Sequence, residues 1–143
     1  MGKVRNILQS KRSEIISISP DATVYRALEI MYEKNISALV VLEDNKLAGI
    51  FTERDYARKV ILQGRSSKET KIEEIMTEDL ITVSPETSIE ECMHLMTNHL
   101  IRHLPVTSEQ ELVGIISIGD VVKYIIDEQK FVIENLEHYI KSG

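Results

Sequence analysis

Two seven-residue segments of the chain, at 49–55 and 114–120, repeat the pattern Gly-apolar-apolar-hydroxyl-x-x-Asp. The hydroxyl residue stands where a predicted strand ends and a predicted helix begins, and the unpaired N–H groups of a helix start attract anions. The Asp carboxylate one helical turn later can accept hydrogen bonds from two neighbouring hydroxyl groups. The apolar pair offers a surface for a flat ring. Each segment could therefore hold a phosphate, a sugar diol and a base, through Thr52 and Asp55 in the first copy and Ser117 and Asp120 in the second.

The same two segments also have a purely structural interpretation. A hydroxyl residue followed three positions later by Asp resembles a capping box, in which each side chain accepts a hydrogen bond from the other residue's backbone and closes the helix start. Spacing alone favours this interpretation. The two interpretations are compatible, because a capped helix start can also face a cleft.

Both segments belong to a long internal repeat. Residues 15–58 align without a gap on residues 80–123 at a shift of 65, with eleven identical pairs. Upstream, residues 4–8 resemble residues 72–76 at a shift of 68, so the first copy has three extra residues in the loop that follows. Self-similarity of this kind indicates two copies of one structural unit that pack against each other.

Each copy is predicted to fold as β-α-β-β-α. The first strand ends at Ser-Pro, since proline cannot donate to a ladder, and Thr23 or Ser88 then caps a helix whose apolar residues recur with helical spacing. A hairpin with a polar turn follows, and then a second helix, over 53–62 in the first copy and from 118 onward in the second. The predicted strands are 15–18, 38–42 and 46–52 in the first copy and 80–83, 103–107 and 111–117 in the second.

The predicted fold class is α+β, with two β-α-β-β-α repeats packed with pseudo-two-fold symmetry. Repeat 1 is placed at 1–64, repeat 2 at 65–128 and a C-terminal helical tail at 129–143. A single copy of about 60 residues is marginally stable, which favours packing of the two together. The tail mixes apolar and polar residues, and it can pack on its own domain or on a second chain.

Composition and charge exclude several classes of protein. The 143 residues carry 17 Lys+Arg against 23 Asp+Glu, and this net charge of −6 argues against nucleic acid as a partner. No apolar run reaches the roughly 20 residues of a membrane span, and the N-terminus has no apolar stretch typical of a signal peptide. The one cysteine, Cys92, suits a reducing interior. We expect a cytoplasmic protein with no membrane partner.

The sequence has no motif that indicates catalysis or metal binding. None of the four histidines has the spacing of metal ligands. There is no P-loop, no dinucleotide fingerprint and no Gly-x-Ser-x-Gly segment. We therefore expect no catalytic residue and no metal ion. The Arg-His pair at 102–103 is either a surface Arg with a partly buried His that is satisfied by backbone or, near a predicted anion site, a phosphate contact.

The doubled unit, the Ser-Pro after the first strand and the Gly-apolar-apolar-Ser/Thr-x-x-Asp motif together resemble a tandem pair of cystathionine-β-synthase (CBS) domains, often called a Bateman module. The resemblance covers residues 4–126 and is specific in order and spacing. The segments Ile-Arg-His-Leu-Pro-Val at 101–106 and Thr-Glu-Arg-Asp-Tyr at 52–56 look like those of stand-alone bacterial and archaeal members.

The resemblance implies a regulatory module that binds an adenine nucleotide between its repeats, with AMP as the first candidate and NAD(H), ADP or ATP as alternatives. In the family, the motif Asp holds ribose hydroxyls and its Ser/Thr contacts phosphate, which assigns these roles to Asp55 with Thr52 and to Asp120 with Ser117. The first strand of each copy would flank the adenine, and basic residues would steady the phosphates. The further predicted contacts are Ile16, Ser17, Ile81 and Thr82 for the base, Arg54, Arg102 and His103 for phosphate, and Ala38, Pro105 and Gly119 beside them.

The two copies are not equivalent. The Arg-His pair at 102–103 is Ser-Ala at 37–38 in the first copy, and Arg54 of the first copy is Gly119 in the second. This leaves room for one strong and one weak site, or for one dinucleotide across both. Because paired CBS modules commonly form homodimers, the resemblance also implies a homodimer. No effector domain is present in the sequence, so an unidentified effector protein would act in trans.

Two other classes of function stay open. The chain could be an enzyme acting on nucleotides, although the catalytic barrel of IMP dehydrogenase, which carries such a pair as an insertion, is missing from this sequence. It could also be a purely structural dimerisation module with vestigial pockets, or a binder of single-stranded nucleic acid. Turnover of adenylates would identify the first, and a gel shift with RNA or DNA the last.

Overall fold

The computed structural model describes residues 2–11 and 14–142, and its mixed helices and strands confirm the predicted α+β class. The helices are α1 (Val4–Lys11), α2 (Val24–Lys34), α3 (Glu53–Lys59), α4 (Ile72–Ile75), α5 (Ile89–His99) and α6 (Ile118–Ser142), with a short 3-10 helix at Ile61–Gln63. The strands are β1 (Ser17–Ile18), β2 (Ala38–Glu43), β3 (Lys46–Thr52), β4 (His103–Ser108) and β5 (Glu111–Ser117).

A capped helix opens the αββα part of each repeat, as predicted. At the start of α2, the side chain of Thr23 accepts a hydrogen bond from the backbone N–H of Arg26 at 3.1 Å. At the start of α5, Ser88 accepts one from the N–H of Glu91, also at 3.1 Å. The first turn of a helix leaves these N–H groups without backbone partners, so the hydroxyl residues determine where each helix begins.

The strands form two small sheets. β2 pairs antiparallel with β3 and parallel with β1, and β4 pairs antiparallel with β5. Both hairpins turn through two polar residues with positive φ, at 44–45 and 109–110. This conformation has the twist that hairpin strands require. β3 and β5 contact each other, which brings the two motifs at their ends to the interface between the repeats.

The first strand of each repeat is shorter than predicted, since β1 covers only Ser17–Ile18 of the predicted 15–18 and the second copy keeps still less. Residues 80–83 make one parallel bridge, from Val83 to Val106, whereas β1 makes two pairs with β2. Pro105 lies beside this bridge, and a proline has no N–H to donate to a ladder. Its counterpart in the first repeat is Val40, which does have one. The predictions of strands over 15–18 and 80–83 are therefore both wrong in extent, and the proline explains why the second copy has one pair fewer than the first.

The helix that precedes each repeat packs on the other repeat. The core of the second repeat contains Val4 and Ile7 of α1, and the core of the first contains Ile72 and Ile75 of α4. The first N–H of each helix donates to a carbonyl of the opposite repeat at 2.9 Å. Burial of each of these side chains contributes about 1.5–3 kcal/mol. Both cores thus combine residues from the two halves of the chain, so separating the repeats exposes apolar surface.

The last helix runs without a break from the second motif to residue 142. Val121, near its start, is buried in the core of the second repeat, whereas residues 129–141 are exposed. The predicted tail is therefore a continuation of the last helix of the repeat. Within the described residues, no helix is both long and apolar enough to cross a membrane.

Candidate ligand-binding site

A cleft of about 580 Å³ lies between the two repeats, beside the second motif. Ser117 and Asp120 line one side of it, at the point where β5 ends and α6 begins. The first repeat and α1 supply the other sides. The lining includes Ile16, Lys34, Ser37 and Ala38 from the first repeat, Leu8 and Lys11 from α1, and His103 from β4.

Asp120 presents a partly exposed carboxylate in this cleft. Its Oδ2 accepts hydrogen bonds from the N–H of Ser117 at 2.9 Å and from the ammonium of Lys11 at 2.8 Å. No donor among the described residues reaches Oδ1. Burial raises the pKa of Asp120, but the contacts with Lys11 and Ser117 outweigh burial and hold the pKa below its ordinary value. The carboxylate is therefore ionised at neutral pH, and one oxygen can accept further hydrogen bonds.

The carboxylate of Asp55, in the first motif, has no oxygen left for a ligand. Its side chain is only 10% exposed, and it does not line the cleft. Oδ2 accepts hydrogen bonds from the N–H of Thr52 at 3.0 Å and from its hydroxyl at 3.1 Å. Oδ1 accepts from the hydroxyl of Thr77 at 3.1 Å and forms an ion pair with Lys59 at 3.0 Å. Both oxygens are used, and Thr52 with Asp55 forms a complete capping box.

The segment that packs against each motif explains the difference. In the first motif, Thr77 follows α4 and pairs with Ile50 in both directions, at 2.9 and 3.0 Å between backbone N and O. In the second motif, the covering segment is α1, which matches α4. The chain beyond residues 4–8 is still helical there, because α1 continues to Lys11. The Lys11 ammonium then donates to the carbonyl of Ile115, the counterpart of Ile50, at 2.8 Å. At the second motif, the Lys11 side chain thus donates the hydrogen bond that the backbone N–H of Thr77 donates at the first.

The motif glycines are needed because these segments approach closely. A Cβ on Gly49 would lie 2.9 Å from the carbonyl oxygen of Thr77 and 2.8 Å from the sulfur of Met76. A Cβ on Gly114 would lie 2.7 Å from a methyl group of Leu8. All three distances are shorter than a Cβ atom tolerates, so neither position has room for a side chain unless its neighbour moves.

His103 joins the two repeats at the cleft. Its Nε2 lies 3.1 Å from the hydroxyl of Ser37, across the repeat interface. Burial lowers the pKa of His103 below its ordinary value, and the positive charge of Lys11 lowers it further against the opposing effect of Asp120. The ring is therefore neutral at pH 7, and one of its nitrogens can donate a hydrogen bond while the other accepts one.

The structure brings together five of the fourteen residues predicted to contact a nucleotide. Those that line the cleft are Ile16, Ala38, His103, Ser117 and Asp120. Those outside its lining are Ser17, Thr52, Arg54, Asp55, Ile81, Thr82, Arg102, Pro105 and Gly119. Among the latter, Arg54 spans the repeats by donating to the carbonyl of Leu100 at 2.9 Å. Contact between any of these residues and a nucleotide stays a prediction.

Two cations of the cleft, Lys11 and Lys34, were missed by reasoning from the motifs. Neither lies in the seven-residue motifs, and neither has a lysine at the equivalent position of the other copy. The one signal for Lys11 was in the alignment of the two copies. The shift between them changes from 68 to 65, so three extra residues follow residues 4–8 in the first copy. That difference in length lets α1 extend past the point where α4 ends. Lys34 lies in the last turn of α2, where a basic residue is ordinary, and no pattern distinguished it.

Among the described residues, the potential metal ligands and the thiol of Cys92 do not form a metal or catalytic centre. No cluster of three or more His, Cys, Asp or Glu side chains suited to a metal ion occurs in the part of the chain that the structure describes. Cys92 is buried in the core of the second repeat, and burial raises the pKa of its thiol to about 11. Such a thiol stays protonated and behaves as a small apolar residue.

Comparison with known proteins identifies relatives along most of the chain. CBSX3, a mitochondrial CBS domain-containing protein of Arabidopsis thaliana, is 50% identical over 128 residues, which are 86% of this chain and 62% of that protein. The chain therefore spans less than two thirds of this relative. A CBS-domain protein of Burkholderia ambifaria has a structure with a TM-score of 0.86 and 49% identity, over 90% of this chain and 96% of that one.

A third relative was solved with ligands. The CBS domain pair of protein MJ0100, in complex with 5′-methylthioadenosine and S-adenosyl-L-methionine, has a TM-score of 0.79 and 26% identity, over 90% of this chain and 98% of that one. The sequence profile of the CBS domain matches residues 4–61 and again 72–127. With two matches that together cover most of its length, the chain belongs to the CBS-domain family as a tandem pair.

Proposed function

We propose that this chain is a non-catalytic sensor that binds an adenine nucleotide, AMP first, in the cleft beside Asp120. The observation that carries the proposal is the ionised carboxylate of Asp120, which keeps one oxygen available at a helix start inside a cleft between the repeats. The adenosyl ligands of the MJ0100 pair support the same class of ligand. ADP, ATP and NAD(H) are the alternatives to AMP.

The groups of the cleft match the parts of such a ligand. The free oxygen of Asp120 would accept a ribose hydroxyl, and the N-terminus of α6 with the hydroxyl of Ser117 would receive phosphate. Lys11 and Lys34 would add positive charge near the phosphate. Apolar atoms from Ile16, which the family resemblance assigned to the base, would flank the base together with Ala38.

We expect one such site in each chain. The carboxylate of Asp55 uses both oxygens within the protein, so a diol there must displace Thr77 or Lys59. A displaced partner of a buried carboxylate costs about 1–3 kcal/mol, which weakens a second site by about 5- to 150-fold. This favours one strong site over a dinucleotide held equally by both motifs.

The position of the cleft suggests how binding acts on the rest of the module. A ligand there touches both repeats and the end of α1, which itself belongs to the core of the second repeat. If the ligand binds one packing of the repeats more tightly than another, it shifts the population toward that packing. A homodimer would pass the change on, and an effector protein would read it in trans.

Calorimetry and thermal shift with AMP, ADP, ATP, NAD, NADH, S-adenosylmethionine and 5′-methylthioadenosine test the proposal. Asp120→Asn removes the charge but keeps the shape, and we expect it to weaken binding by about 10- to 100-fold. The matched control is Asp55→Asn, which should lower stability but leave the dissociation constant unchanged. If no adenylate binds, or if both variants weaken binding equally, the assignment of the site is wrong.

A separate assay tests the absence of catalysis. The chain at catalytic concentration is incubated with each adenylate, and the products are followed by chromatography. We expect no turnover, because the sequence carries no catalytic motif around the one hydroxyl–imidazole contact among the described residues of the cleft, Ser37 with His103 Nε2 at 3.1 Å. Product that forms with the parent chain and is lost with Asp120→Asn would replace the sensor by an enzyme.

A further inference from the structure

His103 differs from the other side chains of the cleft in its chemistry. Among the described residues that line the cleft, it is the one whose ordinary pKa, about 6.5, lies near neutrality. Its ring is partly buried, and its Nε2 contacts the hydroxyl of Ser37 across the repeat interface. A hydroxyl can donate or accept a hydrogen bond, so Ser37 suits both the neutral and the protonated ring. His103 can therefore bind a proton without breaking the contact between the repeats.

His103 also lies beside the helix start at which a phosphate is expected. In the antiparallel pairing of β4 with β5, His103 is the direct partner of Ser117. Side chains of directly opposed residues lie on the same face of a sheet, with Cβ atoms about 4.5–5.5 Å apart. The hydroxyl of Ser117 caps α6 by accepting the N–H of Asp120 at 3.1 Å. An anion at this corner is therefore close enough to the imidazole to change its affinity for a proton.

The charged groups around His103 belong to three elements. Burial of the ring is the main reason that the pKa of His103 lies below its ordinary value. Lys11 on α1 and Arg102, the preceding residue, lower this pKa further, whereas Asp120 at the start of α6 raises it. The other charged side chains that line the cleft are Lys34 and Glu14, both exposed. A further negative charge beside the ring would add to the effect of Asp120 and oppose the two cations.

We propose that His103 takes up a proton when a negatively charged group of a ligand enters the cleft beside Ser117, so that an anionic adenylate binds more tightly as the pH falls. The proposal rests on the proposed function, since it assigns a selecting residue to the same site. The anion stabilises the protonated ring, and by linkage the protonated ring binds the anion more tightly by the same factor. The proton comes from solvent and returns to it when the ligand leaves. A neutral adenylate gains nothing from it.

This device is confined to one copy of the repeat. The counterpart of His103 is Ala38, which pairs with Thr52 as His103 pairs with Ser117. An alanine binds no proton. The response to pH therefore belongs to the corner whose carboxylate keeps an oxygen available, and the module would respond to pH and nucleotide together.

Two adenosyl probes that differ in charge test the proposal. Adenosine 5′-sulfate stays negatively charged between about pH 7.5 and 5.5, whereas 5′-methylthioadenosine is neutral there. AMP is less suited to this comparison, because a phosphate monoester itself titrates near pH 6. Calorimetry across this interval should show the dissociation constant of adenosine 5′-sulfate falling about 3- to 10-fold as the pH is lowered. That of 5′-methylthioadenosine should change by less than about twofold.

A matched pair of variants assigns the effect to one residue. His103→Gln keeps an amide that can hydrogen-bond to Ser37 but binds no proton, so its affinity for adenosine 5′-sulfate should not depend on pH. His94 is exposed on α5 and lies outside the lining of the cleft, so His94→Gln should keep the profile of the parent chain. Circular dichroism checks that both variants fold. In the parent chain, NMR titration of the imidazole protons should show that AMP and adenosine 5′-sulfate each raise the pKa of His103.

The outcomes separate this proposal from adenylate binding itself. Parallel pH profiles for the parent chain and His103→Gln, or a pKa of His103 that neither bound AMP nor bound adenosine 5′-sulfate raises, would overturn the proton uptake and leave the adenylate site standing. Inorganic pyrophosphate tests the reverse case. If no adenylate binds but pyrophosphate raises the pKa of His103, the adenylate assignment fails and the proton uptake stands. If neither the adenylates nor pyrophosphate change the titration of His103, both proposals are wrong.

Discussion

The two motifs of this chain have the same sequence pattern but different surroundings. Thr52 and Asp55 form a closed corner whose carboxylate is fully used by the protein. Ser117 and Asp120 make the same two reciprocal backbone hydrogen bonds, yet their carboxylate faces a cleft and keeps one oxygen without a donor from the described residues. Two corners with the same local hydrogen bonds can therefore differ in whether a carboxylate oxygen stays accessible from a cleft.

The difference originates outside the motifs. Each motif is covered by the segment that precedes the other copy: backbone at Thr77 in one case, and the side chain of Lys11 in the other. A paired backbone segment cannot move without breaking a ladder, whereas an ammonium on a flexible side chain can shift and leave room for a ligand. A difference of three residues in loop length is thus associated with one closed corner and one corner that opens onto the cleft.

The largest expected effect is that of removing each carboxylate. Asp55→Ala should lower the free energy of unfolding by about 2–4 kcal/mol, because buried partners such as Thr52 N–H lose their acceptor. Asp120→Ala should cost about 1 kcal/mol, since its side chain is 23% exposed and Lys11 can turn to water. Urea denaturation of the chain without nucleotide measures both. Equal losses would contradict the contrast between the two corners.

The motif glycines give the next largest effect. Gly49→Ala should cost about 1–3 kcal/mol, because its new Cβ meets the backbone carbonyl of Thr77. Gly114→Ala should cost less than about 1 kcal/mol, since its Cβ meets only a methyl group at the end of Leu8. Thermal unfolding of the two variants measures the difference. If Gly114→Ala proves the more harmful, the end of α1 is held as rigidly as the segment at Thr77.

A smaller effect should appear in the dependence of stability on pH. The pKa of His103 is lowered in the folded chain by burial, with Lys11 adding to the shift. The unfolded chain therefore binds a proton first, so stability falls as the pH drops below the unfolded pKa of about 6.5, by at most about 1.4 kcal/mol per unit. His103→Ala, which copies Ala38 of the first repeat, should remove this decline.

A control distinguishes that effect from other titrations. His94 is exposed on α5, so His94→Ala should keep the decline between about pH 7.5 and 5.5. Chemical denaturation at several pH values in that interval measures all three chains. If His103→Ala and the parent lose stability in parallel, His103 does not carry the pH dependence.

Much of the fold could be predicted because it depends on local patterns. Thr23 and Ser88 cap the expected helices, and the hairpins turn at the polar pairs that separate their strands. The strand expected at 80–83 is reduced to a single bridge beside Pro105, which belongs to the neighbouring strand and has no N–H to donate. A strand needs a partner with free N–H groups, and its own sequence does not contain that information.

Less of the candidate site could be predicted. The motif pattern identified Ser117 and Asp120, which line the cleft, together with Thr52 and Asp55, which do not. Because the two copies have the same residue types at the same spacing, no local rule separates them. Lys11 reaches Asp120 from 109 positions away, and only the packing of α1 on the second repeat brings the two together.

The amino-acid sequence by itself determined the duplication, the β-α-β-β-α order, the helix caps and the chemistry that each motif offers. These follow from periodicity and from side chains that act on their own backbone within one turn. Tertiary structure alone decided which motif opens onto a cleft, since that depends on how α1 and α4 cross to the opposite repeat. Local residues determine which groups a corner offers, and long-range packing determines whether a ligand can reach them.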